Sequence, residues 1–326
     1  MISAKTAVKL AAAPLLLAAV VWVVDPARVA ATFRRLDLAW VALGLLVSIA
    51  SNVVSAWRWH ELSRWLGLRS PLIAMVRVYF QGMTANTLLP GATLSGDMLR
   101  AGLLVRGGNP VLESGLSVVL DRFSGLWVLC LMSGAVAGAV LLALGLPPFW
   151  QGPALPVLAT AGLTLAATLG LFLLPLLFFW GARHGLLPRL PARWRAQAER
   201  LLGLPEAGRQ FVWQLGMSAL VQVLSIGALA LAGRATGLDL PVWTYAVAAA
   251  PIFIMAALPV SFGGWGTREA GAAVCLGLFG ASTELAVTAS LLYGIYATVQ
   301  AGLGVLLTYL PGASGAASPS SQTPRQ

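Results

Sequence analysis

Apolar runs of about twenty residues, separated by short polar or basic stretches, recur along this chain. Each is long enough to cross a hydrocarbon layer about 30 Å thick as a helix. The pattern predicts six spans, over about Ala7 to Val24, Ala39 to Trp57, Gly115 to Leu144, Ala154 to Trp180, Phe211 to Ala232 and Leu285 to Leu310. Two further apolar stretches are interrupted, at about 72–88 with 96–106 and at about 242–257 with 267–281, and none of these four pieces is long enough to cross alone. Each pair predicts a re-entrant helical hairpin that enters and leaves on one side.

The interruptions share a design. Leu89-Pro90 is followed by a loop with Gly91 and Gly96 and then Arg100; Leu258-Pro259 is followed by Gly263-Gly264-Trp265-Gly266 and then Arg268. Proline removes a backbone donor and glycine permits unusual dihedrals, so the helix opens at both places. Broken apolar segments in corresponding halves point to a binding site at a repeat interface. A half contains three spans and one hairpin, and because three is odd the second half enters the membrane inverted. The fold expected is an all-α integral membrane bundle of two inverted repeats, about 1–145 and 154–310, followed by a Ser-, Pro-, Ala- and Gly-rich tail over 311–326 that reads as disordered.

Composition agrees with the pattern. The chain is 58% hydrophobic and 10% charged, against roughly 25% charged in a soluble domain, and no extended soluble block is left for a separate catalytic domain. The net charge of +10 comes mostly from arginines in short loops, which reads as membrane topology rather than nucleic-acid binding. Lys5, Lys9, Arg58, Arg64, Arg69, Arg77 and the basic stretch 181–210 fall on one side, expected to be cytoplasmic; Arg28, Arg34 and Arg35 fall on the other and run against that bias. No small-x-small cleavage site follows the first span before Asp25-Pro26, so it reads as retained rather than as a signal peptide. Cys130 and Cys275 lie in apolar segments, His60 and His184 stand far apart, and no metal site, cofactor or nucleotide motif is indicated.

The candidate chemistry lies at the breaks. In the first block Asn86, Asp97 and Arg100 flank the opened helix, Ser95 is placed to cap the segment that follows, and such an N-terminus attracts an anion such as phosphate. Arg100 either contacts that anion or pairs with Asp97 three residues earlier on the same face. In the second block Arg268 is the first choice as an anion ligand, and its neighbour Glu269 is expected to point elsewhere on the helix. Trp265 reads as an interfacial anchor or a cover over a cavity. Asp121-Arg122 lies at a depth where an unpaired charge costs about 2.5–3.5 kcal/mol, so partners are required: either Arg122 reaches a cavity phosphate while Asp121 holds Arg100 or Arg268, or the pair is a structural clamp between helices. Arg58 and His60, between tryptophans at a helix end, read as interface markers.

These blocks carry a family resemblance. Asn86 with Leu89-Pro90, Gly96-Asp97 and Arg100, then Ser117-Val118, Asp121-Arg122 and Gly125, then Leu258-Pro259-Val260-Ser261, Gly264-Trp265-Gly266 and Arg268-Glu269, together resemble the lysylphosphatidylglycerol synthase transmembrane family, a flippase-like domain. Ser95 departs from the pattern, which has glycine there. The resemblance covers nearly the whole chain and implies a multi-pass protein of the cytoplasmic (inner) membrane that binds or moves a lipid with a charged headgroup. Some relatives fuse this domain to a soluble aminoacyl-transferase; this sequence shows no such block, so aminoacylation is not implied. Two functions follow as expectations: a lipid flippase or transporter, or a non-transporting accessory subunit of a lipid or envelope biosynthesis enzyme, in either case with membrane lipid as partner and with a homo-oligomer or a biosynthetic partner compatible. An intramembrane enzyme would need a nucleophile and base or a metal site, and none is legible.

Overall fold

The computed structural model describes residue 22 and residues 26–89, 93–144, 157–185, 191–258 and 263–309. The expected first span apart from Trp22, the tail over 311–326, and Pro90, Gly91 and Pro259 lie outside them. The described residues form eleven helices joined by turns, with no strand among them: α1 (Pro26–Phe33), α2 (Leu38–Trp65), α3 (Leu72–Leu88), α4 (Thr93–Arg106), α5 (Val111–Leu144), α6 (Val157–Arg183), α7 (Ala192–Gly203), α8 (Ala207–Ala235), α9 (Val242–Ala257), α10 (Thr267–Gly277) and α11 (Thr283–Tyr309). Five of them, α2, α5, α6, α8 and α11, are long and apolar enough to cross a membrane. The architecture is that of an all-α polytopic membrane protein.

Boundaries differ from the sequence expectation where polar residues continue an apolar helix. The helix expected from Ala39 to Trp57 runs on to Trp65 because its polar continuation, Arg58 to Arg64, is partly sheltered by neighbouring helices. α4 begins at Thr93 rather than 96, and α10 stops at Gly277, where Gly280 at φ 85° closes a reversing turn. Inside the basic stretch 181–210, α7 is an additional helix rich in arginine.

Both interrupted segments fold as hairpins. α3 packs on α4 and α9 on α10; a Cβ on Gly96 would run into Gly82 O and the Asn86 side chain, and one on Gly82 would press on the Arg100 side chain. Asn109 latches the first hairpin's base: its Oδ1 accepts the Arg69 N–H at 2.7 Å, and its Nδ2 donates to Arg69 O and Leu104 O. At the base of the second, Trp243 meets Phe279 edge-on at 5.7 Å. At α3, 17 residues give a rise of about 26 Å and at α4, 14 give about 21 Å, both short of the hydrocarbon thickness. The tips touch each other, with Gly263 N–H donating to Asn86 O at 3.1 Å.

α2 and α8 form the central pair and run antiparallel. Asp37 bonds to Ala235 at one end, Ser51 to Val221 and Ser225 at the middle, and Trp65 to Pro205 at the other. Each helix ends in the same glycine turn. Gly67 and Gly237 both have φ 84°, their N–H groups return to Arg64 O and Arg234 O, and Leu68 and Leu238 return to Ser63 O and Gly233 O; Pro71 and Pro241 then start the next helix. α3 lies along α11 and α9 along α5. In α9 the backbone around Pro251 is patched by Ser133, which donates to Ala246 O at 2.7 Å and accepts from Ala250 N–H, as a broken ladder in hydrocarbon requires.

Because the turns after α2 and α8 lie at opposite ends of an antiparallel spanning pair, single cysteines at Arg69 and Asp239 should label from opposite faces of intact cells. The background would lack Cys130 and Cys275, and the probe would be an impermeant thiol reagent. Labelling of both from one face would contradict the packing described.

Candidate functional site

Leu89 ends α3 in an extended conformation, as a residue preceding proline is biased to do. Across the break, Asn86 Oδ1 accepts the Gly96 N–H at 2.7 Å and ties the end of α3 to the start of α4. Ser95 is not the cap expected of it: α4 has already begun at Thr93, so Ser95 lies within the first turn.

The closed hairpin brings Arg100 over α2 and α5, where a buried ion network forms. Asp121 is shared by two arginines: Oδ1 accepts Arg58 Nη2 at 2.8 Å and Nε at 3.1 Å, and Oδ2 accepts Arg100 Nη2 at 2.8 Å. All three residues are 4% exposed or less, so in this low-dielectric setting the carboxylate offsets much of the cost of desolvating both cations. Arg58 Nη1 also donates to Ser218 Oγ at 2.8 Å, and Gly125 leaves space for its guanidinium. The Arg100 guanidinium lies 4.0 Å from the Trp59 ring centroid and 4.6 Å from that of Tyr79, a cation–π sandwich. Beside the triad, Arg122 clasps Asp97 with Nη2 at 2.8 Å and Nε at 2.9 and 3.0 Å, while Arg100 Nη1 stands farther from Asp97, at 3.7 Å. Asp97 therefore pairs chiefly with Arg122, and the expected Asp97–Arg100 pair is the longer, secondary contact. Asp121 holds Arg100 as expected, and holds Arg58 rather than Arg268.

The second block builds a separate cluster. Gly263, Gly264 and Gly266 all have positive φ, which glycine alone adopts without strain. Gly266 caps α10, and Glu269 Oε2 turns back to accept its N–H at 2.5 Å. The turned carboxylate is what overturns the expectation that Arg268 and Glu269 diverge. Arg268 folds over the same first turn, Nη2 meets Glu269 Oε1 at 2.7 Å, and Ser290 Oγ bonds the same oxygen at 3.1 Å. Trp265 covers the Arg268 guanidinium at 5.2 Å, and Gly294 makes room for it. Glu269 is wholly buried and Arg268 is 3% exposed.

Where the hairpin tips meet, two adjoining cavities of about 290 and 410 Å³ open between α2, α3, α4, α5, α8, α9 and α11. Asn86, Asp97, Arg100, Asp121, Arg122 and Gly263 line them; Arg268, Glu269, Gly264 and Gly266 do not. Arg100 and Arg268 are thus not paired ligands of one pocket. The exposed lining residues, Leu126, Ala257 and the tip of Arg122, mark the mouth, and the nearby surfaces of α4 and α5 expose Leu94, Met98 and Phe123. A larger cavity of about 900 Å³ lies elsewhere, between the end of α2 and the start of α8, and none of the candidate binding or hinge residues lines it. Among the described residues no group of three His, Cys, Asp or Glu is placed to hold a metal.

Sequence reasoning missed Arg58, Tyr79, Asn52, Gln222 and Gln300. For two of them a signal was present: Ser48, Ser51, Asn52, Ser55 and Arg58 recur at helical spacing as a polar stripe on an otherwise apolar span. Flanking tryptophans made Arg58 look interfacial, yet Trp59 is fully buried while Trp57 is exposed. His60 sits 3.3 Å from Glu61, away from the cavities.

The sequence profile of one protein family, described as Lysylphosphatidylglycerol synthase TM region, matches residues 7–304. No curated protein matches the chain.

Asp121→Asn removes the charge that two buried arginines share, and is expected to cost about 3–5 kcal/mol, read as a fall in the thermal unfolding midpoint or loss of folded protein. Replacing the whole set, with Asp121→Leu, Arg58→Met and Arg100→Met, should recover most of that loss. An Asp121→Asn protein as stable as wild type would refute the compensation.

Proposed function

The chain belongs to the lysylphosphatidylglycerol synthase TM-region family, and on that premise we propose that it is a lipid flippase or transporter. In this reading an anionic, phosphate-bearing headgroup enters the central cavity while its acyl chains stay in hydrocarbon. The observation that carries the reading is the charge of the cavity wall. Arg58, Arg100 and Arg122 face Asp97 and Asp121, which leaves one positive charge over, and Arg122 stands at a mouth rimmed by apolar surface. A headgroup leaving water loses hydration, and fixed cations offset that loss. The phosphate takes the guanidinium fork of Arg122 in place of Asp97, a planar bidentate contact that arginine forms and lysine does not.

The same reading treats residues about 1–145 and 154–310 as inverted repeats. It is supported by the antiparallel α2 and α8, by identical glycine turns after each, and by the matching neighbours of the two hairpins. Two such halves meeting at a central site suit alternating access. Arg64 at the end of α2, Arg209 at the start of α8 and the arginine-rich α7 between them favour the cytoplasmic side of an inner membrane for the face they share.

Reconstituted protein is expected to speed headgroup-labelled anionic lipid between vesicle leaflets above a protein-free control while leaving the lipid's mass unchanged. Arg122→Gln should lower that rate at least about tenfold, as loss of a charged contact does, whereas Arg195→Gln on α7 should leave it unaltered. A chemically altered lipid would favour an enzyme, and binding without movement would favour an accessory lipid-binding subunit.

A further inference from the structure

The neutral part of the cavity wall carries more information than its charge. Four polar residues of α2, Ser48, Ser51, Asn52 and Ser55, face the cavities, joined by Gln222 and Ser225 of α8 and Gln300 of α11. Most of their donors are already committed to protein. Asn52 Nδ2 donates to Gln300 Oε1 at 2.8 Å and to Ser48 O at 3.1 Å, Gln300 Nε2 donates to Ser48 Oγ and Tyr296 O, and Gln222 Nε2 donates to Gly125 O at 2.9 Å. These bonds fix the three amides in orientation. Among the described residues, none donates to Asn52 Oδ1 or Gln222 Oε1, so both oxygens remain as acceptors on residues that line the cavity. The cation side is equally one-sided: Asp121 is filled by two arginines, and Asp97, when phosphate takes Arg122 from it, keeps Arg100 Nη1 3.7 Å away, so neither carboxylate is left without a cation for an ammonium group to replace.

We propose that the cavity selects a polyol- or glycosyl-phosphate headgroup, with phosphate on Arg122 and hydroxyl groups donating to Asn52 Oδ1 and Gln222 Oε1, and that it disfavours a cationic, aminoacylated headgroup. This rests on the headgroup-cavity reading above and adds the substrate class and two specificity-determining residues. A site built to accept hydroxyl donors discriminates against ligands that lack them, because its buried acceptors are then left unpaired. An aminoacylated headgroup would bring positive charge against a wall already one unit positive.

The test compares four lipids with matched acyl chains bound to the full-length protein, in nanodiscs of neutral phosphatidylcholine: phosphatidylglycerol, phosphatidylinositol, phosphatidylmethanol and lysyl-phosphatidylglycerol. Phosphatidylmethanol has the phosphodiester charge without hydroxyls. Expected affinities place the glycerol and inositol lipids about tenfold above the methanol lipid, as one or two hydrogen bonds supply, with the lysyl lipid weakest. Asn52→Leu and Gln222→Met, close to isosteric, should collapse the roughly tenfold ratio of glycerol or inositol lipid to methanol lipid measured within each variant, with the thermal unfolding midpoint reporting that the protein is folded. Equal affinity for the methanol and glycerol lipids, or tightest binding of the lysyl lipid, overturns the proposed class while the headgroup reading stands. Binding of none of the four above the phosphatidylcholine background overturns the headgroup reading and the class together.

Discussion

Asp121 is the group on which the site depends. A carboxylate in the middle of an apolar helix is unfavourable alone, and so are Arg58 and Arg100, but with each arginine 2.8 Å from its own oxygen of Asp121 they compensate. The three come from α5, α2 and α4, and the Arg58 bond to Ser218 draws in α8. Four helices distant in sequence are thereby fixed in one arrangement. Aromatic faces of Trp59 and Tyr79 close over Arg100, and Gly82, Gly96 and Gly125 clear the space the guanidinium groups and the hairpin need.

That arrangement explains why the cavity is polar at a depth where polar surface is costly. Backbone opened at the hairpin breaks is tolerated in a membrane only where protein or a water-filled cavity shields it from lipid. Asn86 serves both hairpins, binding Gly96 through its side chain and Gly263 through its carbonyl. The cavities form at that junction, bounded by the Asp121 network on one side and by the amides of α2, α8 and α11 on the other. Arg268 and Glu269, neutralised within their own turn and sealed by Trp265, hold the second hairpin's entry to α10 without facing the cavities.

Much of the fold is legible in the sequence because the bilayer leaves few options. Length and apolarity identify α2, α5, α6, α8 and α11, and the Leu-Pro breaks identify both hairpins, with α3 at the bounds expected. The pairing of Asp121 with Arg100 is also legible, since a charge at that depth must find a partner. Arg58 is not, because one-dimensional context puts it beside an exposed Trp57 at an apparent helix end, whereas the third dimension buries it against α5 and α8. Nor is the Arg268–Glu269 pair, because helical spacing separates neighbours by about 100° of rotation and only the capping turn of Glu269 brings them together. Pseudo-equivalent motifs invite the inference of equivalent roles; Arg100 and Arg268 share a position after a break but differ in what the next helix offers them, an aspartate of α5 for one and a serine of α11 for the other.

In the proposed headgroup site the Asp121 network stays in place while Arg122 exchanges Asp97 for phosphate. A cryo-EM map of the protein in nanodiscs rich in phosphatidylglycerol tests it directly. The account predicts phosphate density within hydrogen-bonding distance of the Arg122 guanidinium beneath the hairpin tips, with Asp97 displaced and Asp121 still joined to Arg58 and Arg100. Lipid ordered only on the outer surface, with Arg122 and Asp97 closed on one another at saturating anionic lipid, would contradict it.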